Sequence, residues 1–347
     1  MGGRQPRRGR TAAGHPLTEP LPTCRVGDIE ARPEEDRWLV EGLFTRRAVG
    51  VLGGPPKAFK TWVGLDMALS VASGTPCLSR FPVRETGPVL AYLAEDAGEE
   101  VRARTAALAK GRGITLDALD LFVITAPVLW LDDSEHRERL RRTIEEIRPK
   151  LLLLDPLVRL HRQDENDVRA VSGLLGHLRE LNRTFDLAVL LVHHTAKKER
   201  AHPGQSLRGS GDIYAWLDAG LYLTKRKDGI LLTVEHRSAK APEPLSLSLV
   251  TESGGTARLI VSELGPGEER EVAGDLAAAT IDEIERAAEP VTRSALRARL
   301  GVRNERIGRI LKALERKGSI ERTNGGWSLR PADRRPTRDQ TLELPFA

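Results

Sequence analysis

AVGVLGGPPKAFKTWVGLDMALSVASG, residues 48–74, decides how this chain folds. AVGVLGG (48–54) is a short apolar run ending in glycines. TWVGLDMALSVASG (61–74) sets Trp62, Leu65, Met67, Ala68 and Val71 at helical spacing before Gly74. The stretch reads as strand, loop, helix, and the loop is GGPPKAFKT (53–61). A phosphate-binding loop needs backbone N–H groups converging on a phosphate, a lysine reaching the β and γ oxygens, and a hydroxyl for Mg²⁺ at the helix N-terminus. Gly54, Lys60 and Thr61 fit that spacing, with Phe59 at the position before the lysine that is ordinarily glycine. Gly53, Gly54, Pro55, Pro56, Lys57, Ala58, Phe59, Lys60, Thr61 and Trp62 are therefore the candidate nucleotide-binding residues. A proline-bearing turn ahead of a helix is the plainer alternative.

Outward from the loop, the same alternation continues. PVLAYLA (88–94) is a second strand, followed by a helix over 98–111 and a third strand near LFVIT (121–125). A helix over 134–147 leads to KLLLLD (150–155), and a helix over 168–183 leads to LAVLLVHH (187–194). Continuous apolar strands separated by amphipathic helices predict a mostly parallel sheet covered on both faces. Ligands bind at the carboxyl ends of such strands. Asp155 ends the leucine strand and is expected to share a metal with Thr61. Glu95 and Asp96 end the second strand, where a carboxylate can orient and deprotonate an attacking water; a solvated acidic loop is the other reading. His193 and His194 end another strand, and alternation lets only one of them face the nucleotide side, His194 by preference. AGLYLTK (219–225) and GILLTVEH (229–236) flank an Asp-Gly turn and predict a hairpin, which LSLSLVTE (245–252) extends.

The chain has 347 residues, 40% hydrophobic and 30% charged, enough for one large core and a small appendage. Its apolar runs fall short of the ~20 residues of a membrane span, and Cys24 and Cys77 form neither a disulfide framework nor a cysteine zinc site. A cytoplasmic protein with no membrane partner is expected. The net charge of +5 is unevenly spread. Residues 291–330 hold eleven Lys or Arg against Glu305, Glu315 and Glu321, while the body of the chain is acidic. That asymmetry points to a polyanion partner.

Within this basic segment, SALRARLG (294–301) and RNERIGRILKALERKG (303–318) predict two helices, the second with Ile307, Ile310, Leu311 and Leu314 on one face. SIERT (319–323) and WSL (327–329) around Asn324-Gly325-Gly326 predict a hairpin. The pattern looks like a winged helix-turn-helix, which places Arg303, Asn304, Arg306 and Arg309 toward duplex DNA and Arg322 on the wing. Protein docking is the other use of such a module. The polar loop 197–211, with Lys197, Lys198 and Arg208, is a candidate grip on single-stranded DNA or a solvated loop.

GGPPKAFKTWVGLDMALSVASG, YLAEDAGEEVRAR, LLLLDPLVRLHRQDENDV, LLVHHTAKK and LRGSGDIYAWLD together resemble the RepA-type branch of RecA-like ATPases, relatives of hexameric replicative helicases, over residues 37–252. The resemblance implies a RecA-like α/β core, ATP with Mg²⁺, Lys60 and Thr61 on phosphate and metal, Asp155 as the second metal carboxylate, Glu95 as base, and a histidine sensing the γ-phosphate. It also implies a homo-hexamer in which an arginine acts on the neighbouring subunit's nucleotide; Arg237, Arg226 and Arg208 are the candidates, in that order. The expected layout is a disordered basic arm (1–22), the ATPase domain (23–262), a linker (263–275), a winged helix (276–330) and a flexible tail (331–347). Within the tail, TLELPF (341–346) is similar to peptides that grip a sliding clamp, and a partnerless end is the alternative. A plasmid or mobile-element helicase is the first functional expectation. A nucleotide-switched DNA-binding regulator and an ATPase without DNA affinity are the others.

Overall fold

The computed structural model describes residues 21, 23–29, 33–163, 168–195, 204, 207, 211–226, 229–252, 254–264, 266–287, 289–302 and 304–330. Lys197, Lys198, Arg208, Arg303, the Lys227-Asp228 pair, the arm through residue 20 and the tail from residue 331 lie outside them.

A small antiparallel pair, β1 (Trp38–Val40) and β2 (Phe44–Thr45), precedes the main alternation. Then come β3 (Val49–Gly54), α1 (Lys60–Ser73), β4 (Val89–Leu93), α2 (Gly98–Gly111), β5 (Leu121–Val123), α3 (Ser134–Ile147) and β6 (Leu151–Asp155). These are followed by α4 (Val168–Phe185), β7 (Ala188–His194), α5 (Gly211–Trp216), β8 (Ala219–Arg226), β9 (Gly229–His236), β10 (Leu245–Glu252) and β11 (Thr256–Glu263). Among the described residues the main sheet has nine strands in the order β11-β10-β9-β8-β3-β7-β6-β4-β5. β8, β3, β7, β6, β4 and β5 run parallel, and β9 to β11 form an antiparallel edge. This is the mostly parallel sheet, covered on both faces, that the apolar runs predict, with the antiparallel edge expected from the hairpin.

Burial on both faces explains why the parallel strands are continuously apolar. Leu151 and Leu153 join the cluster under α1 and α2, while Leu152 and Leu154 join the one under α3 and α4. All four are at most 1% exposed, each contributing roughly 1.5–3 kcal/mol of burial. At Gly50, a Cβ would meet the Phe44 ring at 2.4 Å and the Ala219 carbonyl at 2.6 Å, so only glycine lets β3 pack between β2 and β8. Within α1, buried Asp66 accepts from the Leu78 N–H at 2.7 Å and pairs with Arg112 just beyond α2, fixing how the two helices meet.

The C-terminal module comprises α6 (Pro266–Glu285), α7 (Arg293–Leu300), α8 (Asn304–Lys317) and the hairpin β12 (Ile320–Thr323) and β13 (Gly326–Leu329). Leu276, Ile284, Leu296, Ile307, Leu311, Leu314 and Ile320 close its own core. The expected linker, 263–275, is helical from Pro266 onward as the first part of α6. Proline suits the first turn of a helix, where its missing N–H has no partner to lose, and the alanines that follow carry the helix on. Strand β11, which the sequence reading did not anticipate, completes the sheet against β10.

Ion pairs tie the module to the core, among them Arg226 of β8 with Asp275 of α6 at 2.5 Å and Arg306 of α8 with Glu243 at 3.4 Å. Arg306 therefore faces the core rather than outward as expected. A crevice of about 140 Å³ runs between the two units, lined in part by Pro242, Glu243, Gly301, Val302 and Arg306.

Candidate nucleotide site

Strands β3, β7, β6 and β4 are consecutive neighbours in the sheet, and each delivers a candidate group at its carboxyl end. The loop 55–59 leaves β3, Asp155 closes β6, Glu95 and Asp96 follow β4, and His193 and His194 close β7. The ends are stitched together: the Ala94 N–H donates to the Asp155 carbonyl at 2.8 Å and the Thr195 N–H to the Gly54 carbonyl at 3.3 Å.

Lys60, Thr61 and Asp155 converge. The Thr61 hydroxyl donates to Asp155 Oδ2 at 2.7 Å, and Lys60 Nζ donates to the Pro55 carbonyl at 2.9 Å, folding the ammonium over the loop. Lys60 and Asp155 are 8% and 7% exposed. Burial lowers the Lys60 pKa, opposed by the nearby Asp155 and Glu95 carboxylates. Burial likewise pushes Asp155 up to about 6; the Thr61 hydrogen bond and the Lys60 charge pull it down, and Asp96 and Glu95 push it further up. A buried ammonium and a buried carboxylate, both unfavourably desolvated, make a site that gains from a bound anion together with a cation.

A hydroxyl and a carboxylate in contact at a helix N-terminus are hard oxygen donors suited to Mg²⁺, which takes one or two protein ligands and completes its shell with phosphate and water. The residues present fit such an ion: Thr61 and Asp155 would hold it. Among the described residues no group of three or more His, Cys, Asp and Glu side chains is placed to hold a metal.

Phe59 takes a left-handed conformation, φ 63°, the geometry that ordinarily calls for glycine there. Its ring, partly buried, packs against the apolar cluster around α1. Gly53 and Gly54 lack side chains for a different reason. A Cβ at Gly53 would meet Leu207 at 2.9 Å, and one at Gly54 would meet the Leu223 Cβ and carbonyl at 3.1 Å.

Glu95 is half exposed and ion-paired to Arg159 at 3.0 Å. Asp96 pairs with Arg104 at 3.0 Å, and the Arg104 guanidinium stands 5.9 Å from the Trp62 ring centre. Neither arginine stood out in the sequence, though Arg159 follows Asp155 by one helical turn. His193 is 2% exposed, opposite Gly53 in the sheet, whereas His194, opposite Gly54, is partly open.

The candidate trans-acting arginines separate clearly. Arg226 is engaged by Asp275. Arg237 follows β9, which runs antiparallel to β8; with Gly53 opposite Tyr222 and Tyr222 opposite Thr233, Arg237 sits roughly 13 Å along the strands from the phosphate loop. It donates to the Ala215 carbonyl and lies 3.4 Å from Asp218. Arg237 also rims a cavity of about 270 Å³ shared with Tyr214, Tyr222, Glu235 and His236, in which burial pushes Glu235 up to about 8. This cavity lies away from the phosphate loop, toward the opposite end of β8 and β9.

Among the described residues no helix is long and apolar enough to cross a membrane. Among the solved structures to which the chain is similar are the following two. One is the KaiC-like protein PH0186 of the hyperthermophilic archaeon Pyrococcus horikoshii OT3, at 15% identity and TM-score 0.43, over 65% of this chain and 93% of that one. The other is the RadB recombinase, at 16% identity and TM-score 0.45, over 63% and 92%. A family model described as an AAA domain, AAA_25, matches residues 15–200, more than half of the sequence and all of the convergent groups from Gly53 to His194. With the loop, the Thr61–Asp155 pair and the family match in agreement, this chain is a P-loop NTPase of RecA-like fold and belongs to the AAA_25 family.

Proposed function

We propose that the chain is an ATP-hydrolysing motor acting on DNA, a RepA-like replicative helicase of a plasmid or mobile element that works as a homo-hexamer. One observation carries the reading: the Thr61 hydroxyl and the Asp155 carboxylate meet at 2.7 Å beside a buried Lys60. Thr61 and Asp155 would hold a Mg²⁺ ion, which would supply charge neutralisation to the phosphates. Lys60 orients and neutralises the β and γ oxygens, Thr61 and Asp155 fix the metal's position, and Glu95 takes the proton of the attacking water. His194, the more open of the two histidines, contacts the γ-phosphate. Arg237, at the far end of its own strands, serves a neighbouring copy's nucleotide.

Single-stranded DNA is held by Lys197, Lys198 and Arg208. Duplex DNA meets the C-terminal module, read as a winged helix, at Asn304, Arg309 and Arg322, all exposed, and at Arg303. Arg306, paired with Glu243, is not part of that set. A sliding clamp is the proposed partner of the tail.

Steady-state ATP hydrolysis by the full chain, with and without single-stranded DNA, tests the motor. Stimulated turnover that Lys60→Ala lowers by at least about 100-fold is the expected result, in line with loss of a preorganised charge at a transferring phosphate. A second reading rests on Phe59: a bulky residue at φ 63° stiffens the loop and fits a nucleotide switch that binds without turning over. Tight ATP binding with no DNA-stimulated hydrolysis would select it.

A further inference from the structure

The cavity of about 270 Å³ beside α5 has a floor that strand alternation lays out. Gly220 is opposite Glu235 in the register and Tyr222 opposite Thr233, and the Arg237 N–H donates to the Asp218 carbonyl one step further on. Asp218, Gly220 and Tyr222 of one strand line therefore share a face with Glu235 and Arg237 of the next, and Tyr214 of α5 closes the side. Gly220 makes the space. A Cβ there would run into the Tyr222 ring and hydroxyl, so glycine lets that phenol lean back along β8 over the floor. Tyr222 is 1% exposed, and its hydroxyl has no hydrogen-bond partner among the described residues. Next to it, the Tyr214 hydroxyl donates to the partly buried Glu235 carboxyl. Burial and then the neighbouring Glu235 and Tyr214 hold the Tyr222 phenol in its protonated form, so the three groups stand close together with a buried donor left over. A ligand that accepts that donor recovers the cost of leaving it unmade.

Charge and size sort the occupants. Arg237, about 7 Å along β9 from Glu235, lies 3.4 Å from Asp218 at the rim. A cation entering the cavity meets Arg237, and an anion meets Asp218 and Glu235. An uncharged ring with a donor beside an acceptor on one edge avoids both penalties. Burial pushes the Glu235 carboxyl up to about 8, so at pH 7 it is mostly neutral and offers the complementary acceptor and donor. The volume falls just below the ~300 Å³ at which pockets for drug-sized ligands begin, which suits one or two rings, and two tyrosines in the lining favour a planar one.

We propose that this cavity binds a nucleobase, whose edge is held by Glu235 and the Tyr222 hydroxyl beside Tyr214. The base belongs either to a free nucleoside or to an unpaired nucleotide of a DNA strand. The second source has a route: α5 follows directly on the polar segment that begins at residue 197, and Gly204 of that segment abuts both tyrosines. The site is separate from the phosphate loop, and the proposal stands without the triphosphate assignment of residues 53–61.

Equilibrium dialysis of the full chain against labelled cytidine, adenosine and ribose tests it. Both nucleosides should bind and ribose should not. Tyr222→Phe should weaken both nucleosides about three- to tenfold, with the melting temperature unchanged or raised because the hydroxyl it removes has no partner. Glu235→Gln keeps a donor beside an acceptor and should stay within about threefold of the parent, while Glu235→Ala should lose at least about tenfold. Absence of nucleoside binding, a silent Tyr222→Phe, or equal losses for the Gln and Ala variants would overturn the proposal. Lys60→Ala should leave nucleoside affinity within about twofold of the parent, as for an independent site; a parallel loss would put the nucleosides at the phosphate loop and remove this one. Competition identifies the source. Displacement of cytidine by a single-stranded oligonucleotide, but not by an abasic strand of the same length, makes DNA the donor of the base, and no displacement makes it a free nucleoside. Equal displacement by the intact and abasic strands would put the backbone rather than a base in the cavity and overturn the assignment.

Discussion

The phosphate-loop end of the sheet and the C-terminal module use their charges in opposite ways. At the loop, Lys60 and Asp155 are more than nine-tenths buried and their surroundings leave them little choice of position. In the module, Arg297, Arg309, Lys312, Arg316 and Arg322 are exposed, and Arg309, Lys312 and Arg316 form a stripe along α8 at helical spacing. A buried charge has to find its partners inside the protein, so its geometry is dictated by the fold. An exposed charge is solvated in any rotamer and takes its order from whatever binds. The first arrangement suits chemistry at fixed atoms; the second suits a long polyanion whose phosphates can be met in several ways.

The largest effect that would break this contrast is at Asp155. Asp155→Asn keeps the shape but removes the charge facing the metal, and Mg²⁺-dependent nucleotide affinity should fall by about 10- to 100-fold, measured with and without the metal. The parent protein should show the same dependence through pH. With its carboxyl pushed up to about 6, Asp155 is mostly ionised at pH 7 and increasingly protonated below 6, so metal affinity declines as pH falls from 7 to 5. Saturating Mg²⁺ favours the ionised form and moves the decline to lower pH. A flat profile between pH 5 and 8 would show that this carboxylate does not face the cation.

A smaller effect is expected on the module. Arg309→Ala with Lys312→Ala should lower duplex affinity by about 3- to 10-fold at moderate salt and reduce the slope of log affinity against log salt by about 2. Unchanged slopes would turn the module into a protein-docking unit. The smallest effect sharpens the comparison where the two regions touch. Glu243→Gln releases Arg306 from the core, and duplex affinity should rise about two- to fivefold, beyond the change caused by Glu252→Gln, which removes the same charge from an exposed strand end. Equal changes in the two variants would show that the Arg306 pair has no bearing on DNA.

What the sequence made legible follows the same division. Four consecutive leucines before Asp155, and a glycine-ended run before GGPPKAFKT, can satisfy their burial in few ways, and the sheet, its helices and the Lys60, Thr61 and Asp155 meeting point all follow. TARLIVSE (256–263) was less readable, because Ile260 puts an apolar residue on the exposed face and blurs the alternation of Ala257, Leu259 and Val261. PGEERE hides the start of α6 because its composition is also that of a solvated loop. The apolar face of α8 was plain from Ile307, Ile310, Leu311 and Leu314, but nothing local says that Glu243, sixty-three residues earlier, stands opposite Arg306. Phe59 shows a limit of a different kind: the letter contradicts the loop pattern, yet the backbone adopts the left-handed turn and the ring packs, partly buried, against the core.

Arg226 ends β8, the strand whose Leu223 abuts the base of the loop at Gly54, and it is tethered to Asp275 in the middle of α6. One strand thus borders both the candidate nucleotide site and the first helix of the C-terminal module, so the two units share a wall as well as a connecting chain.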